Sequence, residues 1–213
     1  MNALRAWPGD TVADLLHRLG NVAPDRVVLR PLPGTATVAD VVAAGKPACD
    51  LIDGTLVRPA VHNLPSFLGA CLSTFLMNAV LPANLGIVTN TLAPLELRPG
   101  RVRVPSLAFT PWSRLPGRRI PTEPVAAVVP ALTVDFYRPG NTPAELSMKR
   151  ADYFAAGVDL HWLIDGFARL VRVYLPDGDL VTLTAADTLT GEPVLPGFSL
   201  RLADLFAELD RHG

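Results

Sequence analysis

Apolar and polar positions alternate along residues 131–137, and this alternation predicts a β-strand. Asp135 lies on the opposite face from the three apolar side chains of that strand. After a polar turn, residues 143–156 have the spacing of a helix on which Lys149 and Tyr153 share one face. The pattern therefore predicts a strand that carries one acid, followed by a helix whose lysine can turn back toward it.

Prolines and glycines divide the rest of the chain into short elements. These further predicted elements are a hairpin around Asp53-Gly54, an apolar helix over 65–81, a hairpin over 95–98 and 101–109, and strands over 160–165, 169–175 and 179–184. The mixture indicates an α/β fold with a largely antiparallel sheet and one strand–helix–strand crossover through residues 143–156.

The composition is that of one globular domain. The chain has 213 residues, of which 49% are hydrophobic and 18% charged, and its net charge is -1. A nucleic-acid site would therefore have to be a local basic patch, because no general basic excess is present. The two cysteines lack the spacing of a metal site, so we expect them to be free thiols in a reducing cytoplasm.

Residues 59–95 contain no Asp, Glu, Lys or Arg. Prolines, serines and Asn78 interrupt this stretch, whereas a membrane span needs about 20 strongly apolar residues. We therefore expect no membrane span but a helix that is buried on most sides, either in the core or between the two copies of a homodimer. Residues 1–20 lack the apolar core of a secretory signal, which agrees with a cytoplasmic protein.

An acid in an apolar strand is unfavourable unless it is paired, hydrogen-bonded or bound to a cation. One interpretation is that Asp135 holds a magnesium ion and that Lys149 orients the water that attacks a phosphodiester. The alternative is purely structural: Glu145 and Lys149 form an exposed helix pair, and Asp135 makes a buried ion pair or caps a turn.

A series of short motifs in fixed order connects the chain to a known family. These motifs are Asp50-Leu51-Ile52-Asp53-Gly54, His62, Val102-Arg103-Val104-Pro105, Gly140-Asn141-Thr142, Lys149-Arg150, Tyr153-Phe154-Ala155-Ala156-Gly157 and Trp162-Leu163-Ile164-Asp165. In their order and spacing the chain resembles the Uma-two family of restriction-endonuclease-like proteins. The resemblance implies the PD-(D/E)xK nuclease fold. It begins near Thr37, so residues 1–36 are predicted to be an N-terminal extension and residues 37–213 a single domain.

The resemblance implies a magnesium-dependent endonuclease that acts on DNA. The two metal-binding acids of the family fall on Ser106 and Asp135, its lysine falls on Lys149, and Tyr153 would lie beside them. A neutral hydroxyl at Ser106 is a poor magnesium ligand, so hydrolysis is expected to be weakened, and Ser106→Asp should strengthen metal binding. Asp50 is a candidate for the missing carboxylate. The other hypothesis is an inactive nuclease-fold module that binds nucleic acid or a protein partner.

Glu96 is the nearest acid to Ser106 along the predicted hairpin. With Pro99-Gly100 as a two-residue turn, Glu96 would lie opposite Arg103 and pair with it, so that it could not reach the site. A bulge at Pro105 would change this register.

Candidate nucleic-acid contacts lie outside that site. Arg114, Arg118 and Arg119 form a local basic patch beside Trp112, which is a combination that contacts nucleic-acid backbones. A solvated loop is the alternative for these arginines. His62, at the start of the apolar helix, is a candidate phosphate contact, and helix entry is its alternative explanation.

Overall fold

The computed structural model describes residues 11–90 and 93–211. Helices and strands are short throughout these ranges. The α-helices in them are α1 Val12–Arg18, α2 Val38–Ala43, α3 Asn63–Val80, α4 Pro143–Ala156 and α5 Leu202–Ala207. The strands are β1 Asp50–Ile52, β2 Thr55–Val57, β3 Gly86–Asn90, β4 Leu95–Arg98, β5 Arg101–Arg103, β6 Leu107–Pro111, β7 Leu132–Phe136, β8 Leu160–Asp165, β9 Leu170–Tyr174, β10 Leu180–Thr184, β11 Thr188–Thr190 and β12 Ser199–Arg201.

A small antiparallel sheet has the strand order β2-β1-β5-β4. The predicted hairpin between β1 and β2 is confirmed. Asp53 and Gly54 have φ values of 47° and 71°, as a two-residue turn between twisted strands requires. The register of the second hairpin differs from the prediction, because a bulge between Glu96 and Arg98 places Leu95 opposite Arg103. Glu96 accepts a hydrogen bond from the Gly100 backbone N–H at 2.9 Å instead.

The larger sheet has six strands in the order β10-β9-β8-β7-β6-β3. Every pairing in it is antiparallel except that of β7 with β8, which α4 connects. This confirms the mixed, largely antiparallel sheet and the predicted crossover. A further hairpin of β11 and β12, which the sequence analysis did not predict, packs with α5 against the same core.

The alternation along β7 divides the core from the candidate site. Leu132, Val134 and Phe136 pack with α3 and with Trp162 in the main apolar cluster. Thr133 and Asp135 are also buried, but on the other face, which α4 covers. A strand buried on both faces therefore carries an ionisable group next to a helix.

The apolar helix α3 buries one face only. Pro65, Leu68, Leu72, Leu76 and Val80 are the buried positions, whereas Phe67 on the other side is 42% exposed. The expectation of a helix buried on most sides is therefore wrong for the single chain, and burial between two copies stays a prediction. α3 has 18 residues and a mean hydropathy of 1.2, so it is long and apolar enough to cross a membrane by length and composition alone. Core helices of soluble proteins can meet the same criterion.

The predicted N-terminal extension is described only from residue 11 onward, and residues 1–10 lie outside the described ranges. Leu15, Leu19 and Val22 pack against the β1–β2 hairpin. The backbone N–H of Val28 donates to the Leu56 carbonyl at 2.9 Å, so the segment continues the edge of the small sheet. The boundary between residues 36 and 37 stays a prediction, but the segment before it is packed onto the domain.

Candidate active site

The strand predicted over 101–109 is broken in two, and the break forms one wall of the site. β5 belongs to the small sheet and β6 to the larger one, with Val104, Pro105 and Ser106 between them. The pairing of Leu107 with Val134 places Ser106 beside Asp135. The Ser106 backbone N–H donates to Asp135 Oδ1 at 3.2 Å, and its hydroxyl lies 3.4 Å from the same oxygen.

Helix α4 forms the opposite wall. Its start is fixed by a capping box between Thr142 and Glu145, and its end by Gly157 at φ 100°. Because Lys149 and Tyr153 are one turn apart, both side chains point at the strand below. Lys149 Nζ lies 2.8 Å from Asp135 Oδ1 and donates also to the Val104 carbonyl at 2.8 Å. The Tyr153 hydroxyl donates to Asp135 Oδ2 at 3.1 Å. The structure thus brings Asp135, Lys149, Tyr153 and Ser106 together.

The charge on Asp135 is stabilised by its neighbours. The side chain is 4% exposed, and burial alone would raise its pKa. Lys149, with a smaller contribution from Arg138, outweighs burial and holds the pKa of Asp135 below its usual value. Burial and the nearby Asp135 carboxylate raise the pKa of Tyr153 well above the ordinary value, so the phenol stays protonated and remains a donor.

His161 on β8 is a site neighbour that the sequence analysis missed. Its ring stacks between Tyr153 and Tyr174, with centroids 5.4 Å and 5.9 Å away, and its Nδ1 lies 3.0 Å from Thr133 Oγ1. Burial lowers the pKa of His161 to about 4, and nearby Lys149 acts in the same direction. The parallel pairing of Thr133 with His161 explains the contact, but it could be anticipated only once β7 and β8 were placed in register.

His161 gives the protein a predicted sensitivity to acid. The pKa of His161 is about 4 in the folded protein, compared with 6.5 for an ordinary histidine. As the pH falls, the imidazole therefore becomes protonated in the unfolded chain before it does so in the folded protein. The free energy of unfolding should therefore fall as the pH falls from 6.5 to 4, by roughly 3 kcal/mol in total. Urea denaturation at several pH values between 4 and 6.5 should show that the free energy of unfolding depends less on pH in His161→Gln than in the wild-type protein. His62→Gln, which changes an exposed ring, is the control and should keep the slope; equal slopes in all three proteins would contradict the prediction.

Arg138 is a second residue that the sequence analysis missed. It lies two residues after the end of β7, and its Nη2 donates to the Ser106 hydroxyl at 3.2 Å, while Nη1 donates to the Phe136 carbonyl at 3.1 Å. It lies one residue beyond the predicted strand end, where the alternation no longer indicates which way a side chain points. The consequence is that a guanidinium lies at the position where the resemblance expects a carboxylate.

Glu145 does not form the exposed pair with Lys149 that the structural alternative expected. Its side chain is buried and bonds to Arg26 through both oxygens, one of them at 2.9 Å from Arg26 Nη1. Asn141 donates to the same carboxylate at 3.0 Å. Burial opposes the charge, but Arg26 and Asn141 lower the pKa of Glu145. That expectation is wrong because Lys149 is turned toward Asp135 and Arg26 comes from the N-terminal segment.

Asp50, the candidate substitute carboxylate, lies in the wall of the cleft but is bonded elsewhere. Its Oδ2 is 2.8 Å from Arg103 Nη1, and its Oδ1 accepts from the Val104 backbone N–H at 2.9 Å. Arg103 is 1% exposed and also bonds to Asp152. Asp50 thus neutralises a buried arginine.

The donor set does not fit a magnesium ion, although the family implies a divalent metal. Magnesium prefers an octahedral shell with one or two carboxylates. The site offers one carboxylate, from Asp135, and a hydroxyl, from Ser106, with the cations Lys149 and Arg138 bonded to them. Within residues 11–90 and 93–211, no three His, Cys, Asp or Glu residues are grouped to hold a metal.

The predicted nucleic-acid contacts have separate positions. His62 caps α3, accepting from the Leu64 backbone N–H at 3.4 Å, and lines the cleft. Arg114 is bonded to the Pro130 and Gly157 carbonyls and to Asp159, so it fastens the loop to the end of α4. The remaining two arginines of the patch, Arg118 and Arg119, are exposed on the loop and lie outside the cleft lining.

A cleft of about 530 Å³ joins these parts. It lies between the small sheet, the start of α3 and α4, with Asp135 at its base. Its volume is in the range of sites that bind small molecules or single chemical groups. Arg26, Arg58, Arg138 and Lys149 are its cationic lining residues.

The profile of the Uma2 family, described as "Putative restriction endonuclease", matches residues 16–203. Among solved structures, a putative nuclease belonging to DUF820 from Anabaena variabilis ATCC 29413 is similar, with a TM-score of 0.69 and 19% sequence identity, over 77% of this chain and 92% of that chain. No curated protein matches the chain. The predicted resemblance and the fold class are confirmed. Since the family profile covers residues 16–203, including the small sheet, the larger sheet and every residue of the cleft, this chain belongs to the Uma2 family.

Proposed function

We propose that this chain is a nuclease-fold protein that binds nucleic acid in the cleft and has lost most metal-dependent hydrolysis of phosphodiester bonds. One observation carries the proposal: Ser106, at the position of a family metal-binding acid, accepts a hydrogen bond from Arg138 at 3.2 Å. A guanidinium beside Asp135 repels a divalent cation and attracts an anion. The same position therefore favours a phosphate over a metal ion.

Nucleic acid is the ligand that the family and the charges of the cleft support. The matching family and the similar structure are both described as nucleases. Arg58 and Arg138 line the cleft without an ion-pair partner among the described residues. Exposed Arg118 and Arg119 lie on a loop that Arg114 fastens to the end of α4, so they do not belong to the cleft. Local basic groups such as the two in the cleft can supply phosphate contacts in a protein whose net charge is only -1.

Residual metal-dependent hydrolysis of DNA is the second candidate. The specific observation in its favour is the Asp135–Lys149 contact at 2.8 Å, which keeps the acid and the lysine of the nuclease pattern together. Tyr153 completes this group and holds the carboxylate from the other side. These three side chains form one hydrogen-bonded group, which lacks a second carboxylate.

Binding and cleavage assays separate the two candidates. Fluorescein-labelled single- and double-stranded oligonucleotides, followed by anisotropy in EDTA, should bind without a divalent metal. With one phosphate neutralised in the cleft, the logarithm of the binding constant should fall against the logarithm of salt concentration with a slope of about -0.9 on duplex DNA. Magnesium or manganese should produce no cleavage above the background of an Asp135→Asn control.

Two results would count against this assignment. Metal-dependent cleavage that disappears in Asp135→Asn would establish the second candidate instead. Absence of binding to both DNA and RNA at low salt would remove the nucleic-acid role altogether, since electrostatic binding is strongest there.

A further inference from the structure

Arg138 is a fixed cation with unused donors. A guanidinium carries five N–H groups, and the structure gives this one two hydrogen bonds, to the Phe136 carbonyl and to the Ser106 hydroxyl. These two bonds hold the planar group at the base of the cleft. No carboxylate lies within ion-pair distance of it among the described residues, so its remaining donors are free for a ligand.

Lys149 offers a further donor to the same space. Its ammonium group has three N–H bonds, of which one is directed to Asp135 and one to the Val104 carbonyl, each at 2.8 Å. One N–H therefore remains for a ligand. Arg58, exposed on the rim of the cleft and likewise without an ion pair in the described chain, adds a further positive charge.

The acids of the cleft do not cancel these charges, because each acid is already paired. Asp135 is bonded to Lys149, Glu145 to Arg26, and Asp50 to Arg103, which lies behind the cleft wall. Arg58 and Arg138 are thus left as an excess of positive charge. Burial also lowers the pKa of Arg138, which reflects the unfavourable free energy of a half-buried cation that an anion would relieve.

We propose that the cleft binds one phosphate group directly, with no bridging metal ion, through the Arg138 guanidinium, the free Lys149 donor and Arg58 at the rim. The planar fork of an arginine matches two phosphate oxygens, and such charge-assisted bonds are short and strong. The inference deepens the proposed function and rests on it for the source of the phosphate. That source is either a backbone phosphodiester or the terminal phosphate of a strand or nucleotide.

Titration with inorganic phosphate in EDTA, followed by calorimetry, tests the site itself. Arg138→Gln should weaken phosphate binding by about tenfold or more, because it removes a charged donor from the ligand. Arg138→Lys should restore part of the loss. Arg201→Gln, which changes a 73% exposed side chain outside the cleft lining, is the matched control and should bind as the wild-type protein does. Thermal denaturation of each variant checks that it is folded.

Oligonucleotides with and without a 5′-phosphate then distinguish the source. Preference for the phosphorylated strand assigns a terminal phosphate, and equal binding assigns the backbone; in both cases Arg138→Gln should reduce affinity. Oligonucleotide binding that Arg138→Gln leaves unchanged would overturn the phosphate site while the proposed function stands. Phosphate binding that depends on Arg138, without binding of any oligonucleotide, would overturn the proposed function and leave the site. If the folded wild-type protein binds neither inorganic phosphate nor an oligonucleotide, the inference is overturned.

Discussion

Arg103→Met is expected to lower the free energy of unfolding by about 3–5 kcal/mol. Arg103 joins two elements: its Nη1 lies 2.8 Å from Asp50 Oδ2 in the first hairpin, and its Nε lies 2.7 Å from Asp152 Oδ2 on α4. Methionine would leave both carboxylates without this partner, and Arg101, 3.5 Å from Asp152, compensates only in part. An unpaired buried charge costs more than the intact pair contributes. Urea denaturation followed by tryptophan fluorescence measures the loss.

Two further variants show whether charge or packing is responsible. Arg103→Met combined with Asp50→Asn and Asp152→Asn should recover part of the stability, since both carboxylates are neutralised and buried Arg101 keeps Asp53 as its ion-pair partner. Arg169→Met breaks an ion pair with Asp210 whose side chains are 45% and 58% exposed, so it should destabilise the protein far less than Arg103→Met does. If the Arg103 and Arg169 variants lose the same amount, the buried ion pairs do not hold the small sheet to α4.

The double variant Ser106→Asp/Arg138→Gln is expected to bind manganese about tenfold more tightly than either single variant. From the sequence, Ser106→Asp alone should strengthen metal binding. The structure changes this expectation, because Arg138 Nη2 lies 3.2 Å from the Ser106 hydroxyl and would pair with the new carboxylate. Removing the guanidinium leaves two carboxylates, at 106 and 135, for one cation. Calorimetric titration with manganese measures all three proteins.

Adding Asp135→Asn to the double variant should abolish the increase in manganese affinity. This triple variant is therefore the control for metal binding at this site. Each protein must first be shown to be folded by circular dichroism, since residue 106 is 6% exposed and a carboxylate there is partly desolvated. Ser106→Asp alone binding as tightly as the double variant would mean that Arg138 does not compete with the metal.

The parts of the site that the sequence predicted are those set by local periodicity. Asp135 faces α4 because strand side chains alternate, and Lys149 and Tyr153 face Asp135 because they are one helical turn apart. Thr142 and Gly157 flank the helix that the spacing predicts over residues 143–156. These relations need only the strand, the helix and the crossover that joins them, and all three were readable from the pattern.

The remaining contacts depend on packing between segments that are distant in the chain. Arg103 meets Asp152 from 49 positions away, and no periodicity connects the two. The register of the second hairpin was wrong because a bulge between Glu96 and Arg98 costs little and leaves no clear mark in the residues. Arg138 lies just beyond the strand, where alternation no longer predicts the direction of a side chain.

The separation of Arg26 from Glu145 affects how the protein is made. These two residues are 119 positions apart, and Gly20 and Thr142, which also bond, are 122 apart. On the ribosome, the guanidinium of Arg26 emerges long before the carboxylate that receives it. Contacts of such long range close slowly, because the entropy of a large loop must be lost first. The wall of the cleft can therefore close only after residue 145 has been synthesised, later than the chain of the first hairpin and of α3.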